Sequence, residues 1–298
     1  MNRKGLKWEL SHLKKAFLAY HQGWRYIFNK FFIAKKIIRE KFSYASNAES
    51  NLSIHVLVCQ RDFIMLLWSL KSFFSFFNYP FQLYLHNDGT LSLKQINILK
   101  KYFPKAICVE PTEILNNKNL TAYPVIKNFL LTHPNYYLMK KIVDSYFISE
   151  KNNILVIDSD LLWFKAPEEL LNNLNNNCDK SLMMWSPLPG PVYFKDGTVL
   201  DENLSHYNSG IVLYQRANFN LVKLSEYLEK IDTDNPTNFQ FIEEAGFTQC
   251  LKNLQLLPKE KYIIKGKVDE QIVARHYTSP RRPGFYLEGL SILIKNKP

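Results

Sequence analysis

Four aliphatic residues, Ile154-Leu155-Val156-Ile157, run without interruption into Asp158-Ser159-Asp160. The run reads as a β-strand, and its abrupt polar end constrains the fold more than any other feature of the chain. Side chains two apart in an extended segment point to one side, so Asp158 and Asp160 can converge while Ser159 faces away. Convergence at a strand end suits an open α/β sheet, in which ligands bind beyond the carboxyl ends of the strands. Two hard oxygen donors there would suit Mg2+ or Mn2+ shared with substrate phosphates. Asp-Ser-Asp also occurs as a turn that hydrogen-bonds its own backbone, and the spacing alone leaves both readings open.

The surrounding pattern agrees with such a sheet. Residues 53–59 read as a strand, broken by Gln60-Arg61-Asp62, and 63–77 as an apolar helix closed by Tyr79-Pro80. A strand over 81–86 ends at Asn87-Asp88-Gly89. A helix over 92–103, a short strand over 106–110 and helices near 123–131 and 135–149 precede the strand 153–158. This alternation predicts an α/β fold with a mainly parallel central sheet and helices on both faces. The second half is less regular, with strands over 211–214 and 272–277 and helices over 219–231, 239–251 and 285–294.

The net charge of +11 is unevenly placed. Residues 1–42 hold 11 Lys/Arg and 2 Asp/Glu, which leaves 27 and 25 for the rest. A general nucleic-acid surface is not indicated, and no nucleic-acid partner is expected. Leu6, Leu10, Leu13, Phe17, Tyr20, Trp24, Phe28 and Phe31 recur at helical steps among the basic residues. Residues 1–50, ending in a polar break over 43–50, therefore read as a basic amphipathic helical extension, and 51–298 as the main domain. Such a helix suits an anionic membrane surface through residues 1–42, or packs on the domain with its lysines solvated. No apolar run approaches the roughly 20 residues a spanning helix needs, and no signal-peptide pattern is visible. The expected location is cytoplasmic, peripheral to the inner face of the cytoplasmic membrane if the helix meets lipid. Cys59, Cys108, Cys178 and Cys250 form no C-x-x-C pair and read as thiols of a reducing compartment.

Three motifs in order carry a resemblance. Ile154 to Asp160 is followed by Leu161-Leu162-Trp163 and Pro167-Glu168-Glu169-Leu170. Next come His206-Tyr207-Asn208-Ser209-Gly210-Ile211-Val212-Leu213 and, near the C-terminus, His276-Tyr277. Over residues 53–290 the chain resembles the GT-A class of glycosyltransferases, and within it the glycogenin-like and lipopolysaccharide galactosyltransferase-like family of retaining enzymes.

The resemblance implies a GT-A fold and transfer of a sugar from a nucleotide diphosphate sugar, commonly UDP-linked, to a glycan or lipid-linked acceptor. It implies that Asp158, Asp160 and His276 hold the metal, Mn2+ (or Mg2+), since imidazole beside carboxylates shifts preference away from Mg2+. Lys141 matches a donor-contacting lysine, with Lys140 leaving the register uncertain by one. Ser159, Asn208, Ser209 and Gly210 join the donor site, although a glycine in a strand equally marks a bulge. Arg281 and Arg282 stand where the family has a basic residue on the diphosphate. Gln249 falls near the family's Asp-Gln pair, while Glu243 and Glu244 lie one to two turns upstream, so all three are candidates for the catalytic group. Cys59, Arg61 and Asp62 are expected to touch the nucleotide, because nucleotide-binding α/β folds use the loop after the first strand. A surface turn with Asp62 as a helix cap is the alternative. Residues 185–204 are expected on the acceptor side, with Trp185 and Tyr193 able to stack on a sugar. Two rival readings remain: a haloacid-dehalogenase-like phosphohydrolase, and an inactive GT-A-like module that docks on a membrane.

Overall fold

The computed structural model describes residues 3–40, 44 and 47–295. Residues 1, 2, 41 and 42 of the expected extension, and 43, 45 and 46 of the polar break, lie outside the described residues, as does the side chain of Leu6.

Among the described residues, ten strands form two sheets. In chain order they are β1 (Leu52–Val58), β2 (Gln82–Asn87), β3 (Ile107–Val109), β4 (Asn153–Ile157) and β5 (Leu161–Trp163). The others are β6 (Ser181–Trp185), β7 (Tyr207–Gln215), β8 (Leu254–Leu256), β9 (Tyr262–Ile263) and β10 (Ala274–His276). The central sheet has the order β3-β2-β1-β4-β7-β6-β8, and β5-β10-β9 form the second. β3, β2, β1 and β4 pair in parallel and β6 pairs β8 in parallel, while β7 runs against both β4 and β6. The mainly parallel sheet expected from the sequence is therefore present. The chain order reverses between β1 and β4, and a crevice opens at such a switch point beyond the strand ends.

The helices are α1 (Arg3–Leu18), α2 (Gly23–Phe28), α3 (Phe63–Phe74), α4 (Leu93–Tyr102), α5 (Pro124–Thr132) and α6 (Lys140–Ile148). After these come α7 (Glu168–Asn175), α8 (Glu202–Ser205), α9 (Leu221–Lys230), α10 (Asn238–Cys250), α11 (Arg282–Gly284) and α12 (Leu290–Lys295). They cover both faces of the sheet. Leu155 and Ile157 of β4 pack on the side of α3 and α7, and Ile154 and Val156 on the side of α6, α9 and α10. A strand buried on both sides has no polar alternation, which explains the unbroken aliphatic run. Local chemistry sets several helix starts. Ser92 and Gln95 form a reciprocal capping box at α4, and Asn220 accepts from two backbone N–H groups of α9.

The structure departs from the sequence reading in five places. The N-terminal row is not one helix: α1 ends at Leu18, His21 takes a positive φ of 52°, and α2 passes into a π turn and a 3-10 turn. The expected helix over 135–149 splits into a 3-10 turn and α6, and that over 285–294 opens as a π turn. β6, β8 and β9 were unread, because β8 and β9 are too short for periodicity to show. The strand at 211–214 extends back to Tyr207.

The N-terminal segment is part of the core. Ala16, Ala34 and Ile37 are fully buried in the cluster that holds α3, and Trp68 of α3 donates its indole N–H to the Ala34 carbonyl at 2.9 Å. Truncating a buried aliphatic side chain costs about 2–5 kcal/mol. Ile37→Ala should therefore lower the chemical-denaturation midpoint of the whole chain in a single transition; an unchanged midpoint would mean that the extension folds apart from the sheet.

Candidate active site

The backbone brings three strand ends together. Asp158 donates its N–H to the Gly210 carbonyl of β7 at 2.9 Å, and Tyr277 donates to the Asp160 carbonyl at 3.0 Å. β5 leaves directly from the Asp160 turn and pairs with β10 so that His276 stands opposite Leu161. That register sets the imidazole beside the two carboxylates. His276 Nε2 lies 2.9 Å from Asp160 Oδ1 and 3.3 Å from Asp158 Oδ2.

The other atoms of the three side chains are held elsewhere. Asn208 Oδ1 accepts from the Gly210 N–H at 3.0 Å, so it is the carbonyl oxygen, and His276 Nδ1 at 2.8 Å must be the donor to it. Nε2 is then the atom left for a ligand or a second proton. Asp158 Oδ1 takes the Lys141 ammonium at 2.8 Å, and Asp160 Oδ2 takes Arg282 at 3.0 Å. Each carboxylate thus gives one oxygen to a fixed cation and turns the other toward His276. One ligand atom each from Asp158, Asp160 and His276 lie within 4.8 Å of one another, the one such group among the described residues. Two carboxylate oxygens and an imidazole nitrogen fit a divalent ion without disturbing Lys141 or Arg282.

Gly210 makes this approach possible. A Cβ there would sit 2.4 Å from His276 Nδ1 and 2.9 Å from Asn208 Oδ1. The glycine admits the imidazole ring, and the β6–β7 register slips at Met183/Met184 beside it. Bulge and close approach, alternatives in the sequence, occur together.

Burial and charge set the proton affinities. Burial lowers the Lys141 pKa, but Asp158 and Glu243 outweigh it and hold the ammonium charged. Burial raises Asp158 and Asp160, yet their cations bring both below the usual carboxylate range. Burial lowers His276, while Asp160 and Asp158 raise it further, to about 9. Burial, helped by the charge of Glu243, pushes Glu244 up to about 8. Glu244 accepts from Asn208 Nδ2 at 2.6 Å, which links it through Asn208 to His276.

Two cavities meet here. One of about 120 Å3 is backed by Cys59, Arg61, Asp62, Asp88 and Ser159, and one of about 620 Å3 by Asn208, Ser209, Glu243, Glu244 and His276. Tyr137, Leu138, Lys141, Asp158, Asp160 and Arg282 line both. Lys141 also reaches Ser209 and Glu243, whereas Lys140 turns away to Asp144 and the Pro111 carbonyl. Asp62 makes no side-chain cap to α3 and instead holds Arg282 at 2.5 Å. Arg281 lines the larger cavity and donates to Thr278.

Gln249 is not brought to the site. It lines neither cavity, because five residues beyond Glu244 it stands about 140° further around α10. Of residues 185–204, Ser186, Pro187 and Leu188 reach the larger cavity. Trp185 stacks on His206 instead, and Tyr193 is held through its backbone by Asn238. Sequence reasoning missed Tyr137, whose place one turn before Lys141 on the same helical side could have marked it. It also missed Trp8, which lies over the guanidinium groups of Arg61 and Arg282.

The raised Glu244 pKa has a stability consequence. The folded chain keeps a proton that the unfolded chain releases above its ordinary value near 4.5, so stability present below that pH is lost as pH rises toward about 8. Glu244→Gln removes this loss. Melting temperatures of the two proteins should diverge between pH 5 and 8, with the variant the more stable at pH 8; parallel curves would place Glu244 in a solvated setting.

No protein-family model and no curated protein matches the sequence. The structure is similar to that of WbbM, a bifunctional glycosyltransferase, at 15% identity and a TM-score of 0.51, over 87% of this chain and 52% of that one. This chain thus spans about half the length of that protein. Mouse xyloside xylosyltransferase 1 also matches, at 10% identity and a TM-score of 0.46, over 78% of this chain and 98% of that one. So does the galactosyltransferase LgtC crystallised with donor and acceptor sugar analogues, at 10% and 0.46, over 76% and 87%. The likeness to WbbM shows the fold: this chain has the mixed α/β architecture of the GT-A glycosyltransferases.

Proposed function

We propose that this chain is a glycosyltransferase that moves a sugar from a nucleotide diphosphate donor to a glycan or lipid-linked acceptor. The observation that carries the reading is the convergence of Asp158, Asp160 and His276 at the switch point of a GT-A sheet, with Lys141 and Arg282 on their outer oxygens. The three converging side chains would hold a divalent metal, Mn2+ by their mixed donor set, which when bound would offset the charge of a departing diphosphate. Lys141 and Arg282 add fixed positive charge beside it. The small cavity, with Cys59, Arg61, Asp62, Asp88 and Ser159, suits the nucleotide, and the larger one suits the sugar and acceptor.

Within the larger cavity, Glu243 Oε1 is bound by Lys141 and Ser209, while its Oε2 is buried without a partner. A sugar hydroxyl would satisfy that oxygen. Glu244 is mainly protonated at neutral pH and would donate a hydrogen bond from Oε2. Asp201, which caps Asn203, lines neither cavity. Retention and a UDP-linked donor both follow from the family resembled.

A panel of nucleotide sugars, each with Mn2+ or EDTA, should show metal-dependent release of nucleoside diphosphate from one donor. Asp160→Ala should reduce that release at least about a hundredfold, the ratio for roughly 3 kcal/mol of lost charge stabilisation. Unchanged turnover would remove the carboxylate pair from the reaction. Gly210→Ala, by forcing His276 off its place, should match His276→Ala in lost metal affinity by calorimetry. Wild-type affinity in the glycine variant would free His276 from the ligand set.

A further inference from the structure

The N-terminal segment has two unlike sides. On α1, Trp8, His12 and Ala16 recur at steps of four and face the protein; the Trp8 ring centre lies 5.2 Å from Arg61 and 5.4 Å from Arg282. Leu10 and Phe17, seven apart, occupy the other side and are exposed. Beyond the His21 bend, the outer surface continues through Trp24, 77% exposed, and through Phe28, Phe31 and Phe32. These rings pack on each other: Phe17 meets Trp24 edge-on at 5.7 Å, and Phe28 stacks on Phe32 at 5.6 Å. Single exposed apolar residues are ordinary, whereas a contiguous aromatic surface marks a contact.

Charge decides what the contact is. Lys7, Lys14, Arg25, Lys35, Lys36 and Arg39 are exposed around the rings. The two acidic residues of this segment are already paired, Glu9 with Lys30 and Glu40 with Lys71. A second copy would bring the same unbalanced basic face against itself, which charge repulsion opposes. An anionic bilayer supplies both complements: phosphate oxygens for the basic ring and a headgroup–acyl boundary for Trp and Phe.

We propose that this face docks the protein on an anionic lipid bilayer, with Trp24, Phe28, Phe31 and Phe32 at the headgroup–acyl boundary. The inner side of α1 touches Arg61 and Arg282, which line the cavity beside Asp160, so the docking segment and that cavity are joined through α1. The proposal does not depend on the transferase reading, and its test needs no turnover. Point substitutions are required, because deleting the segment would strip Ala34 and Ile37 from the core.

The test is co-sedimentation of the full chain with phosphatidylcholine vesicles and with vesicles containing about a third phosphatidylglycerol. Binding should need the anionic lipid and weaken with salt. Trp24→Ser, Phe28→Ser, Phe31→Ser and Phe32→Ser together should lower it at least about tenfold, with the melting temperature unchanged. Neutralising Lys35, Lys36 and Arg39 as glutamines should weaken it about fivefold per charge. Brominated lipid should quench a fluorescence component that Trp24→Phe removes. The proposal is overturned by equal binding to both vesicles, by full binding of the serine variant, or by a concentration-dependent dimer that the variant abolishes while neither vesicle binds.

Discussion

Asp158 and Asp160 are sunk side by side at the end of the central sheet, and most of the surrounding architecture answers that one placement. Two adjacent carboxylates, Asp160 buried and Asp158 half-buried, repel each other and lose much of their hydration, a combination that costs several kcal/mol unless cations reach them. Three cations do, each from a different part of the chain: Lys141 from α6, His276 from β10 and Arg282 from α11. Each tether also fixes a distant segment. His276 can arrive only because residue 210 lacks a side chain, and Arg282 is held by Asp62 on its far side. The ion pairs are less a source of net stability than a device that allows one arrangement of these segments.

The same arrangement prepares the site for chemistry. Fixed cations take the outer oxygens, and the inner oxygens with His276 Nε2 stay together. Asn208 fixes the tautomer of His276 and, through its amide nitrogen, ties the imidazole to Glu244. Partners that orient a ligating histidine in this way matter nearly as much as the ligands themselves. Asn208 thus orients His276 by hydrogen bonding, whereas the resemblance implied a place for it in the donor site. Ser209 likewise commits its hydroxyl to Glu243 and Lys141.

How much of this was legible follows from the range of the forces involved. The β4 run and its terminal Asp pair are local, and a strand buried on both faces writes itself as unbroken aliphatic residues. The Lys140/Lys141 choice was not local: neighbouring lysines have the same propensity, and only α6 packing sends one inward to Asp158 and the other to Asp144. Gln249 misled because its motif was sought by residue type, when the helical phase of α10 turns Glu243 and Glu244 to the cavity. Trp8 was unreadable as a neighbour of Arg282, since no spacing rule connects residues 8 and 282.

The N-terminal row shows a different limit. Its period, read as one helix, gave two equal outcomes, packing on the domain or meeting a membrane. The bend at His21 and the π turn that follows divide the apolar residues between the core and the exposed surface. Ala16, Tyr26, Ala34 and Ile37 enter the core, while Phe17, Trp24, Phe28 and Phe32 stay outside. The period of a straight amphipathic helix cannot express this, because it assigns the segment one apolar side. Two alanines, Ala16 and Ala34, lie on the inner path with Tyr26 and Ile37, and the outer path is mainly aromatic. Close packing against α3 selects for fit, while an outer surface selects for area.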